Sequence, residues 1–440
     1  MRKRLFGFVL VCAALCGLFA MPANAYVPAD FEIRAEAGLL YSRYTGATLY
    51  SKNADKRMYP ASLTKIMTAV LVIEHISDID NESITVSKQN IDYLSGTGSS
   101  MGGFKPDETM SIRQMLQVFL MASANEGALA LAEKVGGSVP AFVDMMNARA
   151  AELGMKNTQY ANPHGLHDDA HYTTANDLLK LTVHALSLPH IEDMCNAVNY
   201  KSPATNKSPE RTISTTNFML NPITNVYYKD ARGLKTGYTD MAGRCLITTA
   251  TRGGFSYIAI VLKAPPKDAQ GRDQRPEFGD CKNLFEWAFN DFVYKTLLIE
   301  GEPLDTVKVN LCWENDTVNA VPVQAFAGLF PKKGDISTIT KSVQVDSREI
   351  DAPVKKGDYL GMVHLSFAGE EIGAVELVAS ESRGRNQLLA IAKFTKGVVV
   401  SWPFLIAACI VVLLVIILIV WIALLNRKRT ARRIKPKYKI

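Results

Sequence analysis

Three short motifs in the sequence combine residue types that could carry out nucleophilic catalysis. In the first, YPASLTKIMTA, Ser62 and Lys65 lie three residues apart. Residues at this spacing share a helix face, so the hydroxyl and the amine are expected to be neighbours. A serine hydroxyl is a weak nucleophile until a base takes its proton, and lysine can be that base if burial or a second cation lowers its pKa. Taken alone, the motif is better explained as an ordinary helix start.

The other two motifs follow later in the chain. Ser123 and Asn125 interrupt an apolar helical pattern in MASANEGA, which predicts a loop between two buried helices. Lys235, Thr236 and Gly237 occur in GLKTGYTD, before the apolar strand pattern RCLITTA. A glycine on a strand permits close approach of a ligand or a second backbone. A helix C-cap and a hairpin turn would each explain one of these motifs in isolation.

The combination of the three motifs is more specific than any one of them. S-x-x-K, S-x-N and K-T-G, in this order, match the signature of serine enzymes that react with penicillin. The chain resembles the low-molecular-mass penicillin-binding proteins that act as D-alanyl-D-alanine carboxypeptidases. The likeness covers nearly the whole chain and includes ELGMKNTQYANPHGLHDDAHYTTANDLLKL. It implies an α+β fold of the penicillin-binding and serine β-lactamase-like transpeptidase type, an antiparallel sheet packed with helices.

The resemblance implies a role for each residue of the motifs. Ser62 would attack the carbonyl of the terminal D-Ala–D-Ala bond of peptidoglycan, and Lys65 would accept its proton. Ser123 would relay a proton to the leaving amine, and Asn125 would orient Lys65 and bind the substrate amide. A β-lactam would mimic the substrate and leave Ser62 acylated. The implied partners are the peptidoglycan pentapeptide, β-lactam inhibitors and membrane lipid, with no nucleic acid and no metal or organic cofactor.

Substrate binding would fall to the third motif. By the same resemblance, Lys235, Thr236 and Gly237 form the substrate-binding strand, with the lysine and threonine holding the terminal carboxylate. The backbone N–H groups of Ser62 and Tyr238 would form the oxyanion hole.

The sequence leaves two contacts open. Thr216 stands where some relatives carry an arginine, so Arg275 or Arg232 could bind the carboxylate instead. Asp177 could either contact the substrate or cap a helix.

The patterning also predicts the elements that must position the motifs. The apolar pattern of residues 62–75 predicts a helix. Two apolar runs in RCLITTATRGGFSYIAIVLK predict a hairpin of buried strands that turns at residues 252–254. From about residue 303, the alternating segments TVKVNL, STITKSVQVD, YLGMVHLSF and EEIGAVELVA predict a small all-β domain.

The two ends of the chain predict export and membrane anchoring. Residues 1–25 have the basic start, apolar middle and small-residue end of a signal peptide. Residues 398–425 hold no charged side chain and could span a bilayer, and the basic tail 426–440 is expected to stay cytoplasmic. Between them we expect a catalytic domain at residues 26–300 and the β domain at residues 301–393.

Charge and cysteine content fit this organisation. The net charge is +6, but the signal segment and the tail hold 11 of the 49 basic residues, which leaves 38 basic and 43 acidic residues elsewhere. The basic balance therefore indicates topology and not nucleic-acid binding. Cys195, Cys245, Cys281 and Cys312 show no close pairing, which leaves one disulfide or free thiols open.

Particular residues suggest alternative functions. His164, His167, Asp168 and His171 in HGLHDDAH are types that bind zinc, and a zinc D,D-peptidase would use the same substrates, but their spacing matches no ligand motif. A class A β-lactamase needs a further glutamate for deacylation, and Glu152 reads as a helix end. A D,D-endopeptidase and a catalytically silent wall-binding scaffold are the remaining alternatives.

Overall fold

The computed structural model describes residues 29, 31–313, 316–332, 339–367 and 370–433. The predicted signal peptide lies outside these residues. The chain divides into two compact units, and the first runs to Lys295 and includes Gly328–Ile339 and Phe367–Gly373. The second comprises Thr296–Ala327, Thr340–Ser366 and Ala374–Ile440.

The first unit mixes strands and helices. Its strands are β1 (Ala37–Ser42), β2 (Thr48–Lys52), β3 (Ser83–Val86), β4 (Glu108–Ser111), β5 (Asn199–Ser202), β6 (Arg211–Ser214), β7 (Ala231–Thr239), β8 (Gly243–Arg252) and β9 (Phe255–Ala264), followed by β10 (Phe292–Leu298) at the boundary. Its helices are α1 (Lys65–His75), α2 (Lys88–Asp92), α3 (Ile112–Ala122), α4 (Asn125–Gly136), α5 (Val139–Glu152), α6 (Ala175–Ala185), α7 (Ile191–Cys195) and α8 (Pro276–Asp291).

A five-stranded antiparallel sheet with the order β2-β1-β9-β8-β7 organises the first unit. Successive side chains of a strand point to opposite faces of the sheet. Each face of this sheet packs against its own hydrophobic core. On β9, Ile258 and Ile260 join the core that contains α1, whereas Ala259 and Val261 join the core that contains α8. The predicted hairpin is confirmed, with its turn at Gly253 and Gly254.

Helix α1 is the central helix of the larger core. Its first eight residues are all buried, as expected for a helix that is apolar all round. The predicted helix at residues 62–75 is largely confirmed, but the four residues Ala61–Thr64 form a 3-10 turn and the α-helix begins only at Lys65. This tighter turn is what presents Ser62 at the end of the helix.

The second unit is built on strands, which confirms the predicted all-β character of this region. The strands that follow β10 are β11 (Asp305–Asn310), β12 (Thr317–Pro322), β13 (Phe326–Pro331), β14 (Ile339–Val345), β15 (Glu349–Asp351), β16 (Tyr359–Phe367) and β17 (Glu370–Ala379). Six of them form one sheet in the order β14-β16-β17-β12-β11-β15. Most of β13 and the start of β17 fall within the residues of the first unit. The predicted alternation is visible in β11, where Val307 and Val309 are buried and Lys308 between them is exposed.

Two helices follow the sheet of the second unit. They are α9 (Gln387–Val400) and α10 (Trp402–Arg433), separated at Ser401. The segment Trp402–Arg427 is long and apolar enough to cross a membrane by length and composition. The predicted span at residues 398–425 thus covers the end of α9 and most of α10, and the proposed domain boundary at residue 393 falls inside α9.

Candidate active site

Lys65 is held against Ser62 by a fixed set of hydrogen bonds. Its Nζ lies 3.0 Å from Ser62 Oγ, 2.5 Å from Asn125 Oδ1 and 2.5 Å from the carbonyl oxygen of His164. The lysine is 0% exposed, whereas Ser62 is half-buried and borders a cleft. Because the two fixed acceptors take two of its hydrogens, the amine in its neutral form can accept the Ser62 proton.

Burial and a second cation lower the pKa of Lys65. Desolvation is the main cause that lowers its pKa well below the ordinary value, and the positive charge of Lys235 lowers it further. Glu126 acts in the opposite direction. Burial also lowers the pKa of Lys235, to about 8. Both conditions that let a lysine act as a base, burial and a second cation, are therefore met at Lys65.

The second motif lies between α3 and α4, as its pattern predicted. Ser123 ends α3 in the left-handed conformation (φ 61°), and Asn125 begins α4. Ser123 Oγ is buried and has no hydrogen-bond partner among the described residues, yet the residue borders the same cleft as Ser62. A hydroxyl in this position is available to a ligand.

The third motif lies on β7, the edge strand of the sheet, and not at a hairpin turn. A Cβ atom on Gly237 would lie 3.1 Å from the backbone nitrogen of Ser62, so the absence of a side chain lets β7 pass close to Ser62. Thr236 Oγ1 donates to Thr216 Oγ1 at 2.7 Å. Lys235 is 1% exposed, and its Nζ donates to the carbonyl of Thr236.

A close backbone contact fixes the turn that carries Ser62. Gly165 has φ +87°, and a Cβ atom built on it would lie 1.9 Å from the carbonyl oxygen of Ala61. Ala61 itself has φ 49°, a conformation that is unfavourable for residues with a side chain. Tertiary contacts therefore hold this strained turn in place.

The three motifs line one cleft of about 340 Å³. Polar and small residues dominate its wall. They are Ser62, Gly98, Ser99, Ser100, Ser123, Asn125, Gly165, Leu166, Thr215, Thr216, Phe218, Thr236, Gly237, Tyr238, Thr239, Arg244, Arg275 and Glu277. Neither Lys65 nor Lys235 is part of this wall, and both side chains are buried.

The structure separates the two arginines that the sequence left open. Arg275 lines the cleft and stacks on the ring of Phe218, with 4.6 Å from its Cζ to the ring centroid. Arg232 instead donates to the backbone carbonyls of Lys229 and Ala231. Arg275 is therefore the better candidate to meet a substrate carboxylate.

Asp177 is a structural acid. Its Oδ2 accepts from the backbone N–H of Asn157 at 2.8 Å and from Thr158 Oγ1 at 2.9 Å, and its Oδ1 pairs with Lys180 at 2.9 Å. The residue is 2% exposed and does not line the cleft.

We predict that Asp177→Ala lowers the free energy of unfolding by about 2 kcal/mol, because it leaves the Asn157 N–H without its acceptor. Thermal or urea unfolding measures this loss, and kcat/KM for peptide hydrolysis should change by less than about twofold under conditions where the variant is folded. A large fall in kcat/KM at full folding would instead place Asp177 in the catalytic machinery.

The histidine-rich loop contacts Lys65 through its backbone. His164 provides the carbonyl that holds Lys65, and burial lowers the pKa of its ring to about 3. His171 Nε2 is 2.7 Å from Thr64 Oγ1, and burial lowers its pKa to about 4, so both rings are neutral at pH 7. Among the described residues, no three His, Cys, Asp or Glu side chains are grouped to hold a metal ion.

Several features of the site were missed by sequence reasoning. The carbonyl of His164 and the close contact at Gly165 leave no signal in the sequence, because any residue has a carbonyl and many glycines lie in loops. Arg244 and Glu277 line the cleft from β8 and α8 but belong to none of the motifs. Glu152 ends α5, as predicted, and pairs with Arg149 away from the cleft wall.

Cys195, Cys245 and Cys281 are buried thiols. Burial raises the pKa of Cys195 and of Cys245 to about 12, so neither thiol is ionised at neutral pH. None of the three lines the cleft.

Comparison with known proteins supports the assignment. The sequence model of the D-alanyl-D-alanine carboxypeptidase family (peptidase S11) matches residues 23–266, and that of the C-terminal domain of penicillin-binding protein 5 matches residues 292–385. The chain is 30% identical to the D-alanyl-D-alanine carboxypeptidase DacF of Bacillus subtilis over 370 residues, which covers 82% of this chain and 89% of the relative. It is also 31% identical to a D-alanyl-D-alanine endopeptidase of Pseudomonas aeruginosa over 291 residues, or 65% of this chain and 89% of the relative.

Solved structures agree with this result. The crystal structure of penicillin-binding protein 5 from Haemophilus influenzae matches with a TM-score of 0.61 and 26% identity, covering 82% of this chain and 99% of that one. The predicted fold class is thereby confirmed: helices packed on an antiparallel sheet, then an all-β domain. The enzyme is a penicillin-sensitive serine hydrolase that acts on D-Ala-D-Ala peptides of peptidoglycan. The chain belongs to the D-alanyl-D-alanine carboxypeptidase family of low-molecular-mass penicillin-binding proteins.

Proposed function

We propose that Ser62 is the acyl-ester nucleophile and Lys65 the base with which this enzyme removes the terminal D-Ala from peptidoglycan stem peptides. The observation that supports these roles best is the fully buried Lys65 amine, 3.0 Å from Ser62 Oγ, with its pKa lowered by burial and by Lys235. A lysine in this state can accept a proton at neutral pH, which an exposed lysine cannot.

The proposed reaction proceeds in two halves. Lys65 takes the hydroxyl proton as Ser62 Oγ bonds to the carbonyl carbon of the penultimate D-Ala. The developing oxyanion accepts hydrogen bonds from the backbone N–H groups of Ser62 and Tyr238. Ser123 then passes a proton to the amine of the leaving D-Ala, the C–N bond breaks, and water hydrolyses the remaining ester. Asn125 orients Lys65 by accepting a hydrogen bond from its amine, and its side-chain amide binds the substrate backbone.

The terminal carboxylate of the substrate would bind at the part of the cleft wall that contains Thr236 and Arg275. Thr236 presents a hydroxyl there, and Arg275 presents a guanidinium. Because the side chain of Lys235 is buried and does not line the cleft, we assign it an electrostatic contribution to the carboxylate and to Lys65. Gly237 provides space for the substrate backbone.

The test is release of D-Ala from a peptide ending in D-Ala-D-Ala. We expect release by the wild-type enzyme that EDTA does not affect and that Ser62→Ala abolishes. Release that EDTA abolishes would support a zinc peptidase, and no release would support a silent scaffold. Rapid turnover of penicillin would favour a β-lactamase, and cleavage of cross-linked dimers in preference to pentapeptides would favour the endopeptidase.

The coupling between the two lysines predicts a shift in pH dependence. The charge of Lys235 lowers the pKa of Lys65, so Lys235→Gln should raise it. The acid limb of the acylation rate against pH should therefore move to higher pH, in addition to any loss of binding. Stopped-flow acylation with a fluorescent penicillin measures this limb. An unmoved limb would mean that the two amines are not coupled.

We further propose the topology and domain limits expected from the sequence: a cleaved signal at residues 1–25, catalytic and β domains outside the membrane, a single span, and a cytoplasmic tail. The proposal is supported by Trp402–Arg427, which is apolar enough to cross a membrane. The catalytic domain would end near residue 300. For the β domain, the sequence predicts an end at residue 393, and we propose an end near residue 386 instead, because α9 begins at Gln387.

Truncation after residue 401 removes α10 and should move the enzyme from the membrane fraction to the soluble fraction, with hydrolysis of soluble peptides retained. Truncation after residue 433 keeps α10 and is the matched control, which should remain in membranes. Fractionation followed by labelling with penicillin measures both. Retention of the shorter chain in membranes would refute α10 as the anchor.

A further inference from the structure

One end of the cleft carries charged groups that the reaction described above does not use. Glu277, the second residue of α8, is 3% exposed, and its Oε2 is buried with no hydrogen-bond partner among the described residues. The Nε of Arg244, on β8, is also buried and has no hydrogen-bond partner among the described residues. Both side chains line the cleft together with Arg275. Unsatisfied buried polar atoms of opposite charge on one wall indicate a place where a ligand completes the hydrogen bonding.

The surroundings of Glu277 bring the pKa of its carboxyl group close to neutral pH. Burial raises the pKa of its carboxyl group to about 7, against the opposing effect of its own backbone N–H and of Arg244 and Arg275. Asp280, one turn further along α8, raises it in addition. A second carboxylate brought to this wall would act on Glu277 in the same direction as Asp280.

We propose that Glu277 takes up a proton when a substrate carboxylate binds beside Arg244 and Arg275, and so sets the charge that this end of the cleft offers to the substrate. The inference rests on the proposed function of the cleft as the D-Ala-D-Ala site. Glu277 is a positioning residue in this scheme, since it acts through the arginines and not on the reacting atoms.

The proton balance is simple. In the free enzyme near neutral pH, the carboxylate of Glu277 offsets part of the charge of the two arginines. The incoming carboxylate replaces it as their counter-charge, one proton passes from solvent to Glu277, and the proton returns to solvent when D-Ala leaves. At alkaline pH Glu277 stays ionised, and its repulsion of the substrate carboxylate weakens binding.

A purely structural role for Glu277 predicts different behaviour. An acid in the first turn of a helix stabilises the helix through the dipole, and it does so in its ionised form. That role requires no link between ligand binding and pH. A pH profile therefore separates the two explanations, whereas loss of stability alone would not.

The test is the second-order rate constant for acylation of the full-length enzyme by benzylpenicillin, which carries a carboxylate, between pH 6 and pH 9. The ratio of wild type to Glu277→Gln should be near its maximum at pH 6 and fall by about tenfold at pH 8, one unit above the pKa of about 7. Glu286→Gln makes the same change in the same helix at a residue that does not line the cleft, so its profile should run parallel to wild type. Parallel profiles for wild type and Glu277→Gln would overturn the proposal.

A second measurement needs only the wild-type protein. Acylation moves the serine proton to the β-lactam nitrogen and takes none from solvent, so an indicator dye in weak buffer at pH 7.5 reports proton uptake by the enzyme. We expect about half a proton or more per acylated Ser62 with benzylpenicillin, and a smaller uptake with its methyl ester. Equal uptake with acid and ester would refute the role of Glu277. Failure of the wild type to be acylated at any pH would instead refute the proposed function.

Discussion

Lys65→Met is expected to lower the rate constant for acylation of Ser62 at pH 7 by about 10³-fold, within the range that a general base contributes. The methionine has a similar length but cannot accept the hydroxyl proton. It also leaves Asn125 Oδ1 and the carbonyl of His164 without their donor. Stopped-flow labelling with a fluorescent penicillin measures the rate constant, and circular dichroism establishes that the variant is folded.

Lys201→Met is the matched control, because Lys201 is exposed on β5 and lies outside the cleft wall. Its acylation rate should equal that of wild type. Acylation of a folded Lys65→Met variant within tenfold of wild type would show that a group other than Lys65 takes the serine proton.

Gly165→Ala is expected to reduce acylation by at least about 100-fold, although the residue contributes no functional group. The added Cβ would lie 1.9 Å from Ala61 O and 3.0 Å from the backbone nitrogen of Ser62. Both contacts are with backbone atoms, so no side-chain rotation can relieve them. The turn that carries Ser62 must therefore move. A displacement of the nucleophile by about 1 Å is enough for a loss of this size.

Gly154→Ala separates this steric effect from the cost of a positive φ. Gly154 has φ +70°, close to the value at Gly165, but a Cβ there would meet no atom within 4 Å. We expect Gly154→Ala to lower the free energy of unfolding by about 1–2 kcal/mol and to leave kcat/KM unchanged. Equal effects of the two substitutions on acylation would mean that backbone strain, and not the contact with Ala61, is responsible.

The sequence predicted those parts of the site that depend on local spacing. Ser62 and Lys65 are one helical turn apart, and the structure places their reactive atoms 3.0 Å apart. The Ser123 motif lies between two helices, as an interrupted apolar pattern indicates. Strand alternation also located β16 and β17 to the residue.

Features that depend on long-range packing could not be predicted in this way. The 3-10 turn at Ala61–Thr64 packs closely against Gly165, about one hundred residues away in the chain. The third motif reads equally well as a turn or a strand, and only the pairing of β7 with β8 decides between them. That Arg244 and Glu277 belong to one site is visible only in the fold, where β8 and α8 place both side chains on one wall of the cleft.

The central claim is that Ser62 forms a covalent acyl-enzyme, and mass spectrometry tests it most directly. The full-length protein in detergent would be incubated with benzylpenicillin, digested and mapped, alongside Ser62→Ala. We expect one added acyl group, located on Ser62 in the wild type and absent from the variant. An acyl group on another residue, or one that persists in Ser62→Ala, would contradict it.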